Sequence, residues 1–555
     1  MEKTRTGEQY RGIGIGRGMA FGKLMFYGDA ASALTDAQDN DGENEGYEAE
    51  SAKLRHALSE AKGQLQGLAE ETKSRIGAKE AEIFEIHEML LEDGDLLEAM
   101  ERELSRGSTA RAAVRVATET FAGRFAAMDD EYMSARAADI RDVGQRVEKL
   151  LCAGKAEAVP AEGEEAKEPS VILVARDLTP SQTVGMDLSR VAGFVTMEGT
   201  PTSHTSILAR AMGLPALVGA GEISAKLDGS PAVLDAAECL LTVNPASEVL
   251  EAMQVRYERE KERTARLWEE RMLPATAGSG HTVRVYANIG NVRELKQAFE
   301  NGAEGVGLFR SEFLFLESTQ APDEERQFRA YREMAEAAGG RQVIIRTLDA
   351  GADKQIAYLN MPKEENPALG VRAIRLCLAH PTLFRTQLRA ILRASAYGKL
   401  ALMLPMVVSA GEVRQARNML AEEMQKLRED GIAFDEHIGF GIMIETPAAA
   451  LMSDELAPLC DFFSVGTNDL LQYTLAADRQ NGALETLRRD NTEPVLRLIE
   501  IAAARIHRAG GWIGICGELA ADEGLTQRFC DMRLDELSVV AEELLELRAR
   551  IRQCF

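Results

Sequence analysis

The sequence predicts a multidomain α/β protein. An α/β domain interrupted by a helical bundle is joined through a long helix to a C-terminal (β/α)8 barrel. Three observations carry this. The chain of 555 residues is too long for one ordinary domain. Residues 47–151 contain no proline and are rich in Ala, Glu, Leu, Arg and Lys. From residue 276 to the end, eight short apolar runs alternate with helix-like patterns.

The elements follow in order. Residues 11–27, RGIGIGRGMAFGKLMFY, alternate Gly with apolar residues and read as a strand pair, so 1–28 form the first strands of the α/β domain. Residues 29–158 are the inserted helical domain. Within it, IFEIHEMLLED sets Ile83, Ile86 and Leu90 on one expected buried stripe. Residues 159–245 return to the α/β domain through the short strands of VILVARDLTP, VAGFVTM, PALVG and AVLDA. Residues 246–275 form a charged linker helix whose apolar stripe, Leu250, Met253 and Tyr257, is short, as in helices that bridge domains. Residues 276–555 are the barrel, with strands in TVRVYANI, EGVGLF, QVIIRTL, LALMLPMVV, IGFGIMI, FFSVGT, WIGIC and LDELSVV.

Composition excludes several functions. No apolar run approaches the roughly 18 residues of a membrane span, and the N-terminus lacks the apolar core of a secretion signal, so a cytoplasmic protein off the membrane is expected. Seven cysteines without a CxxC pair argue against a disulfide framework and a structural zinc site. A net charge of −25 argues against nucleic-acid binding, which needs clustered cations on the phosphates.

The barrel's apolar runs end in charge. GVGLF ends at Arg310, QVII at Arg346, GFGIMI at Glu445, FFSVGT at Asn468 and Asp469, and WIGI at Cys516. In a (β/α) barrel these strand ends meet on one rim, where active sites are built. Glu445 and Asp469 offer hard oxygen donors for one Mg²⁺. Arg310, Arg346 and Arg479 suit phosphate or carboxylate, which the guanidinium fork matches, and Asn468 adds a hydrogen-bond donor. The ligand is therefore expected to be small, multiply anionic and bound with Mg²⁺. Anionic surroundings disfavour a thiolate at Cys516, which suits a proton donor better than a nucleophile. Away from the barrel, GTPTSHTSILARA puts His204 among Thr202, Ser203, Thr205 and Ser206 at the start of a helix pattern. A capped helix start explains the hydroxyls alone. A neutral imidazole there is also a phosphoryl acceptor beside backbone amides that favour an anion.

Several long motifs, in order, resemble enzyme I of the bacterial phosphoenolpyruvate–sugar phosphotransferase system. TSHTSILAR resembles its phosphohistidine motif. GLFRSEFLF, IRTLDAGADK, GIMIETPAA, SVGTNDLLQYTLAADR and CGELAAD resemble its barrel motifs, and DDEYMSARAADIRDVGQR matches in the helical insertion. The resemblance implies a swivelling phosphohistidine domain. It also implies a reaction in which phosphoenolpyruvate (PEP), bound in the barrel with Mg²⁺, phosphorylates His204 and leaves pyruvate. The phosphoryl group then passes to a histidine of the carrier HPr, docked on the helical domain. The resemblance makes Arg310, Arg346, Arg479 and Asn468 the PEP contacts, Glu445 and Asp469 the metal ligands, Cys516 the donor that protonates enolpyruvate, and Thr183 a hydrogen-bond partner of His204. It also implies a homodimer and a swing of the N-terminal half about the linker. The chain departs from the family where Gly199, Thr200 and Pro201 replace the usual Gly-Gly-Arg before Thr-Ser-His. The alternative reading is a catalytically weak regulatory paralogue that signals through its phosphorylation state.

Overall fold

The computed structural model of the chain describes residues 7–16, 18–27, 44–75, 78–126, 131–151, 171–178, 190–200, 203, 205–206, 209–210, 213–316, 320–351, 356–359, 361–362 and 364–555. The chain divides into two compact units, Met1–Lys261 and Glu262–Phe555. Among the described residues no helix is long and apolar enough to cross a membrane.

The first unit holds an eight-stranded sheet and a helical insertion. Its strands are β1 (Glu8–Arg11), β2 (Ile13–Ile15), β3 (Met19–Phe26), β4 (Val171–Ala175), β5 (Val191–Thr196), β6 (Ala216–Val218), β7 (Pro231–Asp235) and β8 (Leu240–Val243), in the order β1-β8-β7-β3-β4-β5-β6-β2. β3, β4, β5 and β6 run parallel in turn, while β7, β8 and β1 extend the sheet antiparallel from β3. The early strands therefore belong to the same sheet as residues 171–243. Alternation divides the apolar side chains of β4 between its two faces: Ile172 and Val174 enter one cluster, Leu173 and Ala175 another.

Between β3 and β4 lie α1 (Tyr47–Arg75), α2 (Ala78–Leu91), α3 (Gly94–Ser105), α4 (Ala110–Ala126) and α5 (Glu131–Leu151). The Asp93 carboxylate caps α3 by accepting from the amides of Asp95 and Leu96, which separates α3 from α2. Leu96, Met100 and Leu104 recur every four residues on its buried face. On α2 the buried stripe differs from the expected one. Phe84, His87 and Leu91 are buried, and Ile83, Ile86 and Leu90 are half-buried beside them. The difference rests on His87, whose Nε2 is hydrogen-bonded to the Asp139 carboxylate at 3.5 Å and whose Nδ1 lies 3.6 Å from the Asp142 carboxylate, inside the core.

Helix α6 (Ser247–Glu269) follows β8. Tyr257 on it meets Phe21 edge-on at 5.3 Å. The second unit is a closed barrel of eight parallel strands, β9 (Arg284–Ile289), β10 (Val306–Arg310), β11 (Val343–Arg346), β12 (Leu400–Leu404), β13 (Gly439–Ile444), β14 (Phe462–Val465), β15 (Trp512–Ile515) and β16 (Glu536–Val539). Each strand pairs with the next, and β16 closes on β9. All eight apolar runs read from the sequence are these strands. Helices cover the outside, among them α7 (Val292–Glu300), α8 (Glu324–Ala337), α9 (Pro381–Ser395), α10 (Ala410–Glu429), α11 (Thr467–Leu475) and α12 (Glu493–Arg508) between successive strands and α13 (Leu544–Gln553) after β16.

Period-two alternation sorts the barrel's side chains. Val343, Ile345, Leu402, Ile442, Phe463, Ile515 and Leu537 face the helical shell. Leu308, Ile344, Ala401, Met403, Met443, Phe462 and Cys516 form a separate interior cluster. The interior set becomes polar toward the C-terminal strand ends: two residues past Ile344 stands Arg346, and two past Met443 stands Glu445.

Candidate functional site

The same alternation positions the rim. Arg310 and Arg346 are the last residues of β10 and β11, and Glu445 and Cys516 directly follow β13 and β15. Asn468 and Asp469 lie in the first turn of α11 after β14. Arg310 is exposed, Asn468 and Arg479 are half-buried, and Arg346, Glu445, Asp469 and Cys516 are buried.

Three of these residues, Arg346, Asp469 and Arg479, join a chain of alternating charge. Arg346 donates from Nη2 to Glu312 Oε1 at 2.7 Å, and its Nη1 is 3.1 Å from Asp349 Oδ2. The other Asp349 oxygen accepts from Arg372 Nη2 at 2.9 Å. Asp469 then accepts from Arg372 Nη1 at 3.5 Å and from Arg479 Nη1 at 3.3 Å. Burying charge is costly, and such a chain persists because each member has opposite neighbours. Burial pulls the Arg346 guanidinium down, but the Glu312, Asp349 and Glu445 charges outweigh it and hold the group firmly protonated. Arg372 follows the same logic with Asp349 and Asp469. The Nε atoms of both arginines are buried without an acceptor among the described residues.

Glu445 stands apart from the chain. Its Oε1 accepts from the Met406 amide at 2.5 Å, which Met406 presents from a left-handed backbone, φ 57°. Burial, then the Asp349 and Asp469 charges, push the Glu445 carboxyl up to about 8. Asn468 exchanges hydrogen bonds with Glu518: its Nδ2 donates to the carboxylate at 2.8 Å, and its Oδ1 accepts from the Glu518 amide at 2.9 Å. The Cys516 thiol donates to the Val465 carbonyl at 3.7 Å. Burial pushes that thiol up to about 12, with the Glu536 and Glu445 charges acting the same way, so it is neutral at ordinary pH.

Reading strand ends alone missed Glu312, Asp349 and Arg372. Asp349 carried a usable signal, lying three residues past Arg346 in IIRTLDAG. Arg372 carried none, because it sits in a connection after β11, yet it is 2 % exposed and links two of the acids. Among the described residues no group of three or more His, Cys, Asp or Glu is arranged to hold a metal unaided.

His204 and Thr183 lie outside the described residues, as do Pro201 and Thr202. Around His204, Ser206 Oγ donates to the Thr200 carbonyl at 2.8 Å and lies 3.2 Å from Ser203 Oγ. Thr205 Oγ1 donates to Asp177 at 3.4 Å. Thr205 and Ser206 are fully buried, so their hydroxyls brace this segment internally.

Three family models match the chain, and they define a class: PEP-utilising enzyme, N-terminal (11–136), mobile domain (167–239) and PEP-binding domain (264–555). The chain is 41% identical over 511 residues to the phosphoenolpyruvate-protein phosphotransferase of Priestia megaterium, covering 91% of this chain and 88% of that one. It is 39% identical over 549 residues to that of Staphylococcus carnosus, covering 98% and 94%, and 38% identical over 554 residues to that of Bacillus subtilis, covering 98% and 94%. A solution structure of Enzyme I matches 45% of this chain and 99% of its own at 33% identity, with a TM-score of 0.36. The chain belongs to the phosphoenolpyruvate–protein phosphotransferase family.

Proposed function

We propose that this chain catalyses the first step of the sugar phosphotransferase system: it takes the phosphoryl group of PEP onto His204, releases pyruvate, and passes the group to a histidine of HPr. The observation that carries the reading is the charge chain Glu312–Arg346–Asp349–Arg372–Asp469–Arg479 on the rim of a PEP-binding barrel. The relatives' shared activity favours it over the regulatory alternative.

Arg310, Arg346 and Arg479 bind the phosphate and carboxylate of PEP, and Asn468 donates to it. A loose phosphoryl-transfer transition state needs positioning and charge neutralisation above all, and these donors supply both. Arg346 keeps its charge whatever the ligand state, because Glu312 and Asp349 hold it protonated. Glu445 and Asp469 fit Mg²⁺, which takes one or two carboxylates and completes its shell with water and substrate phosphate. Burial first, and then the Asp349 and Asp469 charges, push the Glu445 carboxyl up, and the negative charge gathered there is what such an ion offsets. When bound, Mg²⁺ supplies charge neutralisation at the phosphate. Cys516 gives its thiol proton to C3 of the enolate left by phosphoryl transfer, and His204 serves as the covalent relay with Thr183 orienting its ring.

Residues 1–28 and 159–245 are assigned to the phosphohistidine domain, 29–158 to HPr docking, 246–275 to the linker and 276–555 to the barrel. The active form is a homodimer. The test uses PEP labelled on phosphorus with Mg²⁺, followed by HPr. Label is expected on the native chain, absent from His204→Ala, and moved to HPr on mixing. Label retained equally by His204→Ala overturns the relay; label that reaches His204 and never leaves for HPr supports the regulatory reading.

A further inference from the structure

Below the rim, the barrel holds a carboxyl that the reaction above does not use. Glu536 opens β16, faces the interior and has 0% exposure, and neither of its oxygens completes a hydrogen bond among the described residues. A buried carboxyl without partners is costly and calls for an explanation. Two glycines make room for it. A Cβ on Gly514 would lie 1.9 Å from Glu536 Oε2, so the carboxyl occupies the side-chain space of Gly514. A Cβ on Gly307 would lie 2.6 Å from Glu536 Oε1 and 2.5 Å from Ser538 Oγ. A register shift in β10 between Val306 and Phe309 turns Gly307 inward together with Leu308.

The position bears on Cys516. Gly514 pairs with Ser464 on one side and with Glu536 on the other. Cys516 is two residues past Gly514 on the same face, about 6.6 Å further along the strand. Two buried hydroxyls line the interval, Ser464 beside the thiol and Ser538 beside the carboxyl, and neither completes a hydrogen bond among the described residues. A hydroxyl both accepts and donates, as a proton path requires.

We propose that Glu536, held in the side-chain space of Gly514 one step below Cys516, returns a proton to the Cys516 sulfur after each protonation of enolpyruvate. The proposal rests on the reading of Cys516 as the proton donor. In the first step a C–H bond forms at C3 of the enolate as the S–H bond breaks, leaving pyruvate and a thiolate. In the second the Glu536 O–H bond breaks as the S–H bond re-forms, leaving a carboxylate. Solvent then reprotonates the carboxylate from the N-terminal mouth, where half-buried Arg284 lies over the ring of half-buried Trp512 at 4.3 Å.

The proton order agrees. Burial pushes Glu536 up to about 8, against Arg284, so it is still mostly protonated at neutral pH. The thiol stands at about 12, so transfer from carboxyl to thiolate runs downhill. The titratable and charged groups facing the carboxyl are Arg284 and Tyr286 from β9, Cys516 from the end of β15, and the preceding residue Asp535. Arg284 stacks on Trp512 and Tyr286, and no ion pair joins it to Glu536 among the described residues.

The test compares the first turnover with steady state in the full chain with PEP and Mg²⁺, using HPr as acceptor for repeated turnover. Glu536→Gln keeps the shape and loses the acid. Its first-turnover pyruvate formation, which uses the resident thiol proton, is expected within threefold of native, and its steady-state rate at least tenfold lower. Glu536→Asp is expected to recover at least fivefold over Glu536→Gln. The native steady-state rate is expected to fall above about pH 8 while the first turnover does not; this readout decides the matter if Glu536→Gln does not fold. Equal loss in both phases, loss in neither, or a native profile without that split overturns the proposal. Cys516→Ala separates the two readings. If it forms pyruvate at the native first-turnover rate, Cys516 is not the donor. If it is slow while Glu536→Gln matches native in both phases, Cys516 stands and Glu536 falls.

Discussion

At the scale of single residues, Cys516 and Arg346 make opposite demands on their surroundings. Burial keeps the Cys516 thiol neutral, with its value raised to about 12. A neutral, 4 % exposed thiol is a poor nucleophile. Iodoacetamide at pH 8 is therefore expected to label Cys516 at least tenfold more slowly than half-buried Cys239, read by peptide mass spectrometry. Cys516→Ala is expected to slow pyruvate formation by at least tenfold while changing PEP affinity less than threefold; equal loss of both would make the residue structural. Arg346 instead needs its charge and both arms of its fork, one on Glu312 and one on Asp349. Lysine cannot hold two acids in that geometry. Arg346→Lys is expected to weaken PEP binding by about 10–100-fold, roughly 1.4–3 kcal/mol. Calorimetric titration checks it, and a change under twofold would remove Arg346 from the binding set.

At the scale of elements, the barrel strands were legible because alternation and punctuation agree. Each apolar run is short, ends at a polar residue and precedes a helical pattern, and the rim residues stood out as the breaks in those runs. Arg372 did not, because a buried arginine in a connection leaves no periodic trace. The α2 stripe was misread for a related reason. His87 is polar by type, yet two aspartates from a helix more than fifty residues later make it a core residue. Glu536 was hidden as well: LDELSVV reads as an apolar strand, and only closure of the barrel brings Gly514 and Gly307 against its carboxyl. That packing is testable. Gly514→Ala forces a methyl group onto Glu536 and is expected to cost about 1–3 kcal/mol. Adding Glu536→Ala empties the same space and is expected to recover more than half of the loss, a coupling between touching residues. Urea denaturation followed by tryptophan fluorescence reads it, since the chain's two tryptophans, Trp268 and Trp512, both lie in the Glu262–Phe555 unit. An additive double variant would mean that the carboxyl does not occupy that space.

At the scale of the whole molecule, a buried acid ties the stability of the barrel unit to pH. Glu536 titrates near the ordinary 4.5 when the chain is unfolded and at about 8 when folded. Between those values the folded state binds the extra proton, so the stability it contributes is fully present below about pH 4.5. It declines as pH rises and is lost through about pH 8. A shift of that size bounds the effect at roughly 4–5 kcal/mol, with the realised value smaller wherever water relaxes into the opened site. Glu445 also titrates upward, but it is shared by the native chain and a Glu536→Gln variant, so their difference isolates Glu536. Glu536→Gln is expected to gain stability relative to native as pH moves from 5 to 8.5, read as the difference in urea midpoint by tryptophan fluorescence. A difference that stays flat over that range would mean that Glu536 is ionised in the folded barrel. The proton it is proposed to return to Cys516 would then not be there.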